Sequence, residues 1–572
     1  MRWKKLLSLA LAMLLSAFSG CASQQHAPYD GGSGIDEISS HTEDSQTEFR
    51  SFPERTEKTE QGAYPGTADE GMITVAVDSL PTTLNAMTAS DSAGAMILMN
   101  VMENLIRLDE DDQIRPGAAE SWEISDDGLR YTFHLRAGMI WANGDLITAN
   151  DFAFAWLTAL DPLTDSPYAY LFYDIEGAQA FHEGTAPMEE VKIEAVDTLT
   201  LEVVLTHPSE SFLTQTAFSA MSPVNEAFYT EVGAEQYGTA PEFLLSNGPF
   251  LVDSFTPDSA VTLIKNEDYY DADAVRLPRA DFKIIHETGF AAFQAGEIDL
   301  TLLQTAQQVE QVEADGHKVI SYSDGGSFFL LFNMADPLLS NVNLRKALSF
   351  AIDRQAYLAD QSGALPATSL IPPAIGGVEK PFYKELGELF PPSGDVDKAR
   401  SYMALAKEEL RMEETELGAG ILLLMDDSER SVQLGTFIKE QLAEKLELVI
   451  TVEYVPEHSL PERMQDQDFG ISLAGWVPDC NDPSSYLKRL MAKSRSSYTS
   501  DQYDRFLASA ADELDSQIRM EYFYEAERLI AEDCALCPFY WSSTDYVVSD
   551  KVKGIYQTAF QPMILLNAYL VE

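Results

Sequence analysis

From Met72 onward the apolar residues recur with two different periods, and their alternation predicts strands interleaved with helices. Period two comes first, at Met72–Val77, where Ile73, Val75 and Val77 alternate with Thr74 and Ala76. Side chains spaced in this way line one face of a strand. The same period returns at Tyr131–Leu135, after the turn residues Ser125-Asp-Asp-Gly128, and at Leu199–Leu205, where Leu199, Leu201, Val203 and Leu205 share a face. Helical spacing lies between them. Thr148-Ala-Asn-Asp151 has the form of a capping box that opens a helix over Phe152–Leu160, and Asp161-Pro162 ends it. Leu344, Leu348 and Ile352 form one stripe of a helix expected over Asn343–Leu358, and Met520–Ala531 reads as another. Mixed elements without a repeat argue for α/β lobes. A chain of 572 residues is too long for one core, so at least two lobes are expected.

Two stretches before Met72 break this pattern. Arg2, Lys4 and Lys5 precede an apolar run from Leu6 to Phe18, which leads into Ser19-Gly20-Cys21. A basic start, a short hydrophobic core and small residues before a cut site describe an export leader, and a core of thirteen residues is too short to span a bilayer. The segment resembles the lipobox of bacterial lipoproteins, with Phe18 standing where that pattern usually has Leu. The resemblance implies lipidation of Cys21 after cleavage, hence anchoring to the outer face of the cell membrane without a spanning helix. The other reading is a plain signal peptide with an incidental cysteine. Ala22–Glu70 contains no Leu, Val or Met and is rich in Ser, Thr, Glu, Gln and Gly. Such a segment cannot bury enough surface to order itself, and it reads as a disordered acidic tether.

The formal charge of −54 rules against nucleic acid as a partner, because phosphate binding needs clustered cations. With Cys21 lipidated, Cys480, Cys534 and Cys537 remain. Cys534-Ala-Leu-Cys537 has CxxC spacing, but it follows a helix instead of opening one and so lacks the thiol-activating N-terminus of redox motifs. A local or Cys480-linked disulfide, or inert thiols, is the expectation over a metal or redox site. No GxSxG, HExxH or GxxxxGK[ST] motif occurs, and Asp109-Glu-Asp-Asp112 lacks the glycine and distal glutamate of a calcium loop. An enzyme is not expected, and neither is a cofactor or metal.

The densest constellation is Phe469–Pro483. Phe469, Ile471 and Leu473 alternate as a buried strand that runs into a loop Gly475-Trp476-Val-Pro-Asp479, and ligand crevices form outside the carboxyl ends of strands in α/β lobes. Trp476 suits a packing residue as well as a ligand platform, and Asp479 suits a cap as well as a contact.

The chain after the tether resembles the bacterial extracellular solute-binding proteins of family 5, the oligopeptide- and dipeptide-binding components of ABC importers. The likeness is densest over Glu103–Pro162, in the order Arg-Pro-Gly, Ala-Glu-Ser-Trp, Asp-Gly-Leu, Tyr-Thr-Phe-x-Leu-Arg, Trp-x-x-Gly and Thr-Ala-x-Asp-Phe. Ser246-Asn-Gly-Pro-Phe250, Ala295-Gly-Glu-Ile-Asp299, Asn343-Leu-Arg-Lys-Ala-Leu348, Ala351-Ile-Asp-Arg354 and Ile371-Pro-Pro373 agree. The resemblance implies a periplasmic-binding-protein-like type II clamp of two lobes with an inserted domain. Its expected boundaries are 1–20 for the leader, 21–70 for the lipidated cysteine and tether, and 71–101, 246–324 and 554–572 for domain I, which receives the C-terminal strand. Domain II is expected over 102–245 and domain III over 325–553.

The same resemblance implies that Gly475, Trp476 and Asp479 line the pocket, with Asp479 on a peptide ammonium group. It further implies that the backbone of Thr88, Ala89, Ser90 and Asp91 pairs with an extended ligand, and that Tyr168 lies near it. No cation for the peptide carboxyl end can be named from the sequence. The implied protein is a lipid-anchored, extracytoplasmic monomer that captures short peptides and passes them to a permease with cytoplasmic ATPases. The alternatives are the same fold binding a nickel chelate or an oligosaccharide, and a surface protein unrelated to transport.

Overall fold

The computed structural model describes residues 71–571 except 210, 257–258, 286–288, 360, 479 and 492–496. Cys21, the leader, the tether and Asp479 therefore lie outside the described residues. An eleven-stranded sheet organises the rest. Its order runs Thr451–Val455, Leu422–Asp426, Ile471–Trp476, Val319–Phe332, Leu536–Val548, Leu300–Leu303, Met72–Val77, Arg279–Ile284, Ala260–Lys265, Phe250–Thr256, and Ala364–Pro366 joins beside Leu536–Val548. Met72–Val77 forms as its alternation predicts and pairs in parallel with Arg279–Ile284 over its full length.

The two longest strands, Val319–Phe332 and Leu536–Val548, lie side by side at the middle of the sheet and run antiparallel. Their far halves pair with different neighbours, so they carry the sheet from one half of the molecule to the other. The register between them shifts from Ser323 to Ser327, across Asp324-Gly325-Gly326. Gly325 adopts φ +74°, and a side chain on Gly326 would meet the Ser542 hydroxyl, so this kink needs both glycines.

Alternate residues of Val319–Phe332 face opposite sides. Leu330 and Phe332 join one cluster with Leu344, Leu348, Met403, Leu434 and Ile438 from helices Val342–Ala351, Val396–Leu410 and Glu429–Leu446. Phe329 and Leu331 join another with Phe523, Tyr524 and Ile530 of helix Ser516–Glu532. A strand buried on both faces reads as a continuous apolar run, as Phe328–Phe332 does.

A second sheet of four antiparallel strands takes the order Ala119–Ile124, Arg130–Leu135, Thr200–Val204, Ile193–Asp197. Helix Ala149–Leu160 packs on it behind the Thr148/Asp151 capping box, with Asp161 as its C-cap. Trp156 of that helix is fully buried and donates its indole N–H to Met221 C=O at 2.9 Å.

Two expectations are corrected. The helix over Asn343–Leu358 is two helices, Val342–Ala351 and Arg354–Leu358. Asp353 caps the second by accepting from Ala356 N–H, which stops the first while leaving Leu344, Leu348 and Ile352 buried together. Gly475 and Trp476 are the last residues of strand Ile471–Trp476 instead of the start of a loop, because Phe328 and Ser327 pair with them. The C-terminal strand Tyr569–Leu570 pairs with Val552–Lys553 in a separate two-stranded ribbon. The segment before it is tied down by Asn100, whose amide donates to Met563 C=O and accepts from Leu565 N–H, each at 2.8 Å.

Cys480, Cys534 and Cys537 are buried thiols. Burial pushes the Cys534 thiol up to about 12, which leaves it unreactive as a nucleophile. Among the described residues no group of three or more His, Cys, Asp or Glu side chains could hold a metal ion, and no helix is long and apolar enough to cross a membrane.

Candidate functional site

Strand Ile471–Trp476 outruns one of its neighbours. Leu422–Asp426 pairs with it only at Ile471 and Ser472, whereas Val319–Phe332 stays paired as far as Trp476. Beyond Ser472 this edge is therefore no longer paired with its parallel partner, toward the carboxyl ends of both strands, where an extended chain could add in β fashion.

The side chains around this end are arranged in a row. Gly475 has no side chain because the Phe328 ring occupies that space, and a Cβ there would lie 2.5 Å from it. Phe328 stacks on Tyr540 with ring centroids 4.6 Å apart, and the Arg430 guanidinium sits 4.8 Å from the Tyr540 centroid. Arg430 is exposed, lies in the first turn of helix Glu429–Leu446, and makes no ion pair with a described carboxylate. A cation at a helix N-terminus is opposed by the helix dipole. Its retention there, in a chain with 92 acidic and 38 basic residues, marks a place suited to an anionic group.

The loop after Trp476 is held from several sides. Pro478 packs on Gly325, the Tyr486 hydroxyl donates to Gly325 C=O, and the Asn481 carboxamide accepts from Gly376 N–H at 2.8 Å. Asp482 and Arg519 form an ion pair of 2.7 Å with both side chains buried. The Arg519 charge holds the Asp482 carboxyl below its usual range, even though burial, the largest single influence, pushes it up.

The other predicted residues gather on a second wall. The Asp91 carboxylate caps helix Ser92–Val101, accepting from Gly94 N–H at 2.6 Å and from Thr82 N–H and hydroxyl at 3.1 and 2.6 Å. It is spent on structure. Thr88 and Ala89 donate their N–H groups to Asn85 C=O, at 3.0 and 2.8 Å, so those two donors are already used. Ser166 joins Tyr168 to the same loop, since its hydroxyl donates to Met87 C=O at 2.6 Å and accepts from Tyr168 N–H at 3.2 Å. The Tyr168 ring packs edge-on against Phe218, at 5.3 Å between centroids.

Segment Phe212–Phe218 connects the two walls. Gln215 donates to Cys480 Sγ at 3.9 Å, three residues before Phe218 meets Tyr168. The structure thus brings Thr88–Asp91 and Tyr168 together, and links them through this segment to the loop after Trp476. Ser166 stood inside the Ser-Pro-Tyr motif and could have been picked from it. Gln215, Phe218 and Arg430 carry no signal in sequence, since each acts through a distant partner.

The model of the bacterial extracellular solute-binding proteins, family 5, matches residues 113–498. The chain belongs to that family. It is 28% identical over 512 residues to the oligopeptide-binding protein OppA of Bacillus subtilis, covering 87% of this chain and 92% of the relative. A probable deoxycholate-binding periplasmic protein of Escherichia coli is 30% identical over 488 residues, 83% of this chain and 88% of that one. Among solved structures, Listeria monocytogenes OppA bound to peptide superposes with a TM-score of 0.71 at 30% identity, covering 88% of this chain and 99% of that one. The substrate-binding domain of an oligopeptide ABC transporter from Bacillus anthracis gives 0.72 at 31% identity, with the same coverage. The fold is the periplasmic-binding-protein-like clamp, and the protein is an extracellular solute binder.

Proposed function

We propose that this chain is the lipid-anchored substrate-binding subunit of an ABC importer and that it captures short peptides in extended form. The observation that carries this reading is the strand edge at Leu473–Gly475, which is no longer paired with its parallel neighbour toward the carboxyl ends of the strands. Backbone pairing there is indifferent to side chains, which suits a receptor for many sequences. Asp479, in the loop that follows, takes the peptide ammonium group, and Trp476 and Tyr168 flank the ligand. Arg430 takes the carboxyl end. Relatives named as oligopeptide and dipeptide binders support the assignment.

Residues 71–101, 246–324 and 554–572 form domain I in this reading, 102–245 domain II and 325–553 domain III, with closure about the kink at Gly325 and Gly326. Cys21 carries the lipid and 22–70 the tether, which hold the clamp near its permease and ATPases. Calorimetry tests the site. Asp479→Ala is expected to weaken a peptide with a free amino terminus by about 10- to 150-fold, the worth of one charge-assisted bond of about 1.5–3 kcal/mol. Unchanged affinity would remove Asp479 from the site. A second reading, a steroid-like amphiphile as solute, is favoured by the Escherichia coli relative named as a probable deoxycholate binder.

A further inference from the structure

Under the Leu370–Ile371 turn lies a buried carboxyl group outside the ligand contacts proposed above. Glu527, on helix Ser516–Glu532, is 1% exposed. One of its oxygens, Oε1, accepts from Leu370 N–H at 2.5 Å and from Ile371 N–H at 3.2 Å. Leu370 C=O in turn accepts from the Ser327 hydroxyl at 2.5 Å, and Ser327 is the residue paired with Trp476. Trp541, paired with Ser327 on its other side, donates its indole N–H to Ser369 C=O at 3.2 Å. The chain then runs on to Gly376, whose N–H is held by Asn481. Residues 369–376 thus meet, at one end, the strand residue paired with Trp476 and, at the other, the loop that follows Trp476.

We propose that Glu527 is a positioning residue for the ligand crevice: its carboxyl group anchors the Leu370–Ile371 turn, and whether that group carries a proton sets how firmly the turn holds the Trp476 loop. The role in ligand binding rests on the function proposed above; the anchoring of the turn does not.

Among the described residues no cation is paired with this acid. The turn above it offers only backbone groups and side chains that do not titrate. From helix Asp501–Asp512, Tyr503 is the titratable neighbour, its hydroxyl raised chiefly by burial and further by the Glu527 charge, and that hydroxyl is already given to Leu487 C=O. From helix Ser484–Met491, Tyr486 is committed to Gly325, and Lys488 lines a crevice beside Arg519. Arg519, about two turns back along the helix of Glu527, is committed to Asp482. Glu527 Oε2 is buried without a hydrogen-bond partner.

Burial favours the neutral form of an acid so placed and pushes Glu527 up to about 7, against the two N–H donors, which favour the charged form. Because the folded value lies above the ordinary 4.5, the stabilisation is complete below about pH 4.5 and is lost as pH rises through about 7. Above that pH the buried charge is relieved by admitting water, which loosens the turn.

Amide hydrogen exchange in the ligand-free protein tests this between pH 6 and pH 8. Protection of Leu370 and Ile371, taken relative to Val75 in the remote part of the sheet, is expected to fall about threefold or more in the wild type and to stay constant in Glu527→Gln. Wild-type protection that stays constant over that range overturns the proposal even where the variant fails to fold. In parallel, the tightest binder from a library of tri- to pentapeptides is titrated calorimetrically. Its affinity is expected to fall over the same range in the wild type and to remain flat in Glu527→Gln; parallel profiles overturn the role in binding. If no peptide binds, the proposed function fails, while hydrogen exchange still judges the anchor.

Discussion

Gly475 separates packing from ligand contact in a single experiment. Its missing side chain is explained by the Phe328 ring, which lies 2.5 Å from where a Cβ would be and is backed by Tyr540 at 4.6 Å. Gly475→Ala must therefore displace the half-buried Phe328 ring against its stacking on Tyr540, at a cost of about 1–3 kcal/mol for overpacking. The alanine also recovers about 0.5–1 kcal/mol, because glycine loses more entropy than alanine on entering a strand. The net is a destabilisation of up to about 2.5 kcal/mol, the difference between these two ranges. In a Phe328→Ala background the clash disappears and only the recovered entropy remains. There Gly475→Ala should stabilise, so the effect changes sign. Urea unfolding of the wild type, both single variants and the double variant measures this directly, with the interaction appearing as non-additivity. Equal destabilisation in both backgrounds would refute the packing explanation, and would shift the need for glycine to the close approach of a ligand backbone.

Asp482→Asn leaves the Arg519 charge buried without its partner, which should cost about 3–5 kcal/mol in urea unfolding. Since the Asp482 carboxyl is held below its ordinary value, its contribution is present above about pH 4 and is lost as pH falls through the folded value, so the wild type and variant should converge in acid. Asp91→Ala removes a helix cap and two bonds from Thr82, which should lower stability by about 0.5–2 kcal/mol; Asp91→Asn should recover most of it. Arg430→Gln should weaken peptides with a free carboxyl end by about tenfold or more and leave C-terminally amidated peptides unchanged, as read by calorimetry, because only the former present the anion. Equal effects on both would remove Arg430 from the carboxyl end.

Local signals carried the elements and little of their joining. The Thr148/Asp151 capping box and the alternation at Met72–Val77 appear where the sequence puts them, because their causes lie within a few residues. The strand end at Gly475 and Trp476 was read as loop because glycine and tryptophan carry no alternation, and only pairing with Phe328 and Ser327 makes them strand. Asp353 splits a helix that the apolar stripe alone would have continued. For the site, motif likeness named Thr88–Asp91, Tyr168, Gly475 and Trp476, but not that the Asp91 carboxylate is a cap or that Ser166 ties two of these segments together. Glu527 was invisible for the same reason as Arg430. A glutamate in a helical segment looks like any exposed one until the turn at Leu370 is laid over it.

The central claim is that the solute is a short peptide. Mass spectrometry of the material released by denaturing protein purified from its own cells tests it most directly. The account predicts an ensemble of short peptides of mixed sequence, in near-stoichiometric amount. A single steroid, sugar or metal chelate in their place would contradict it.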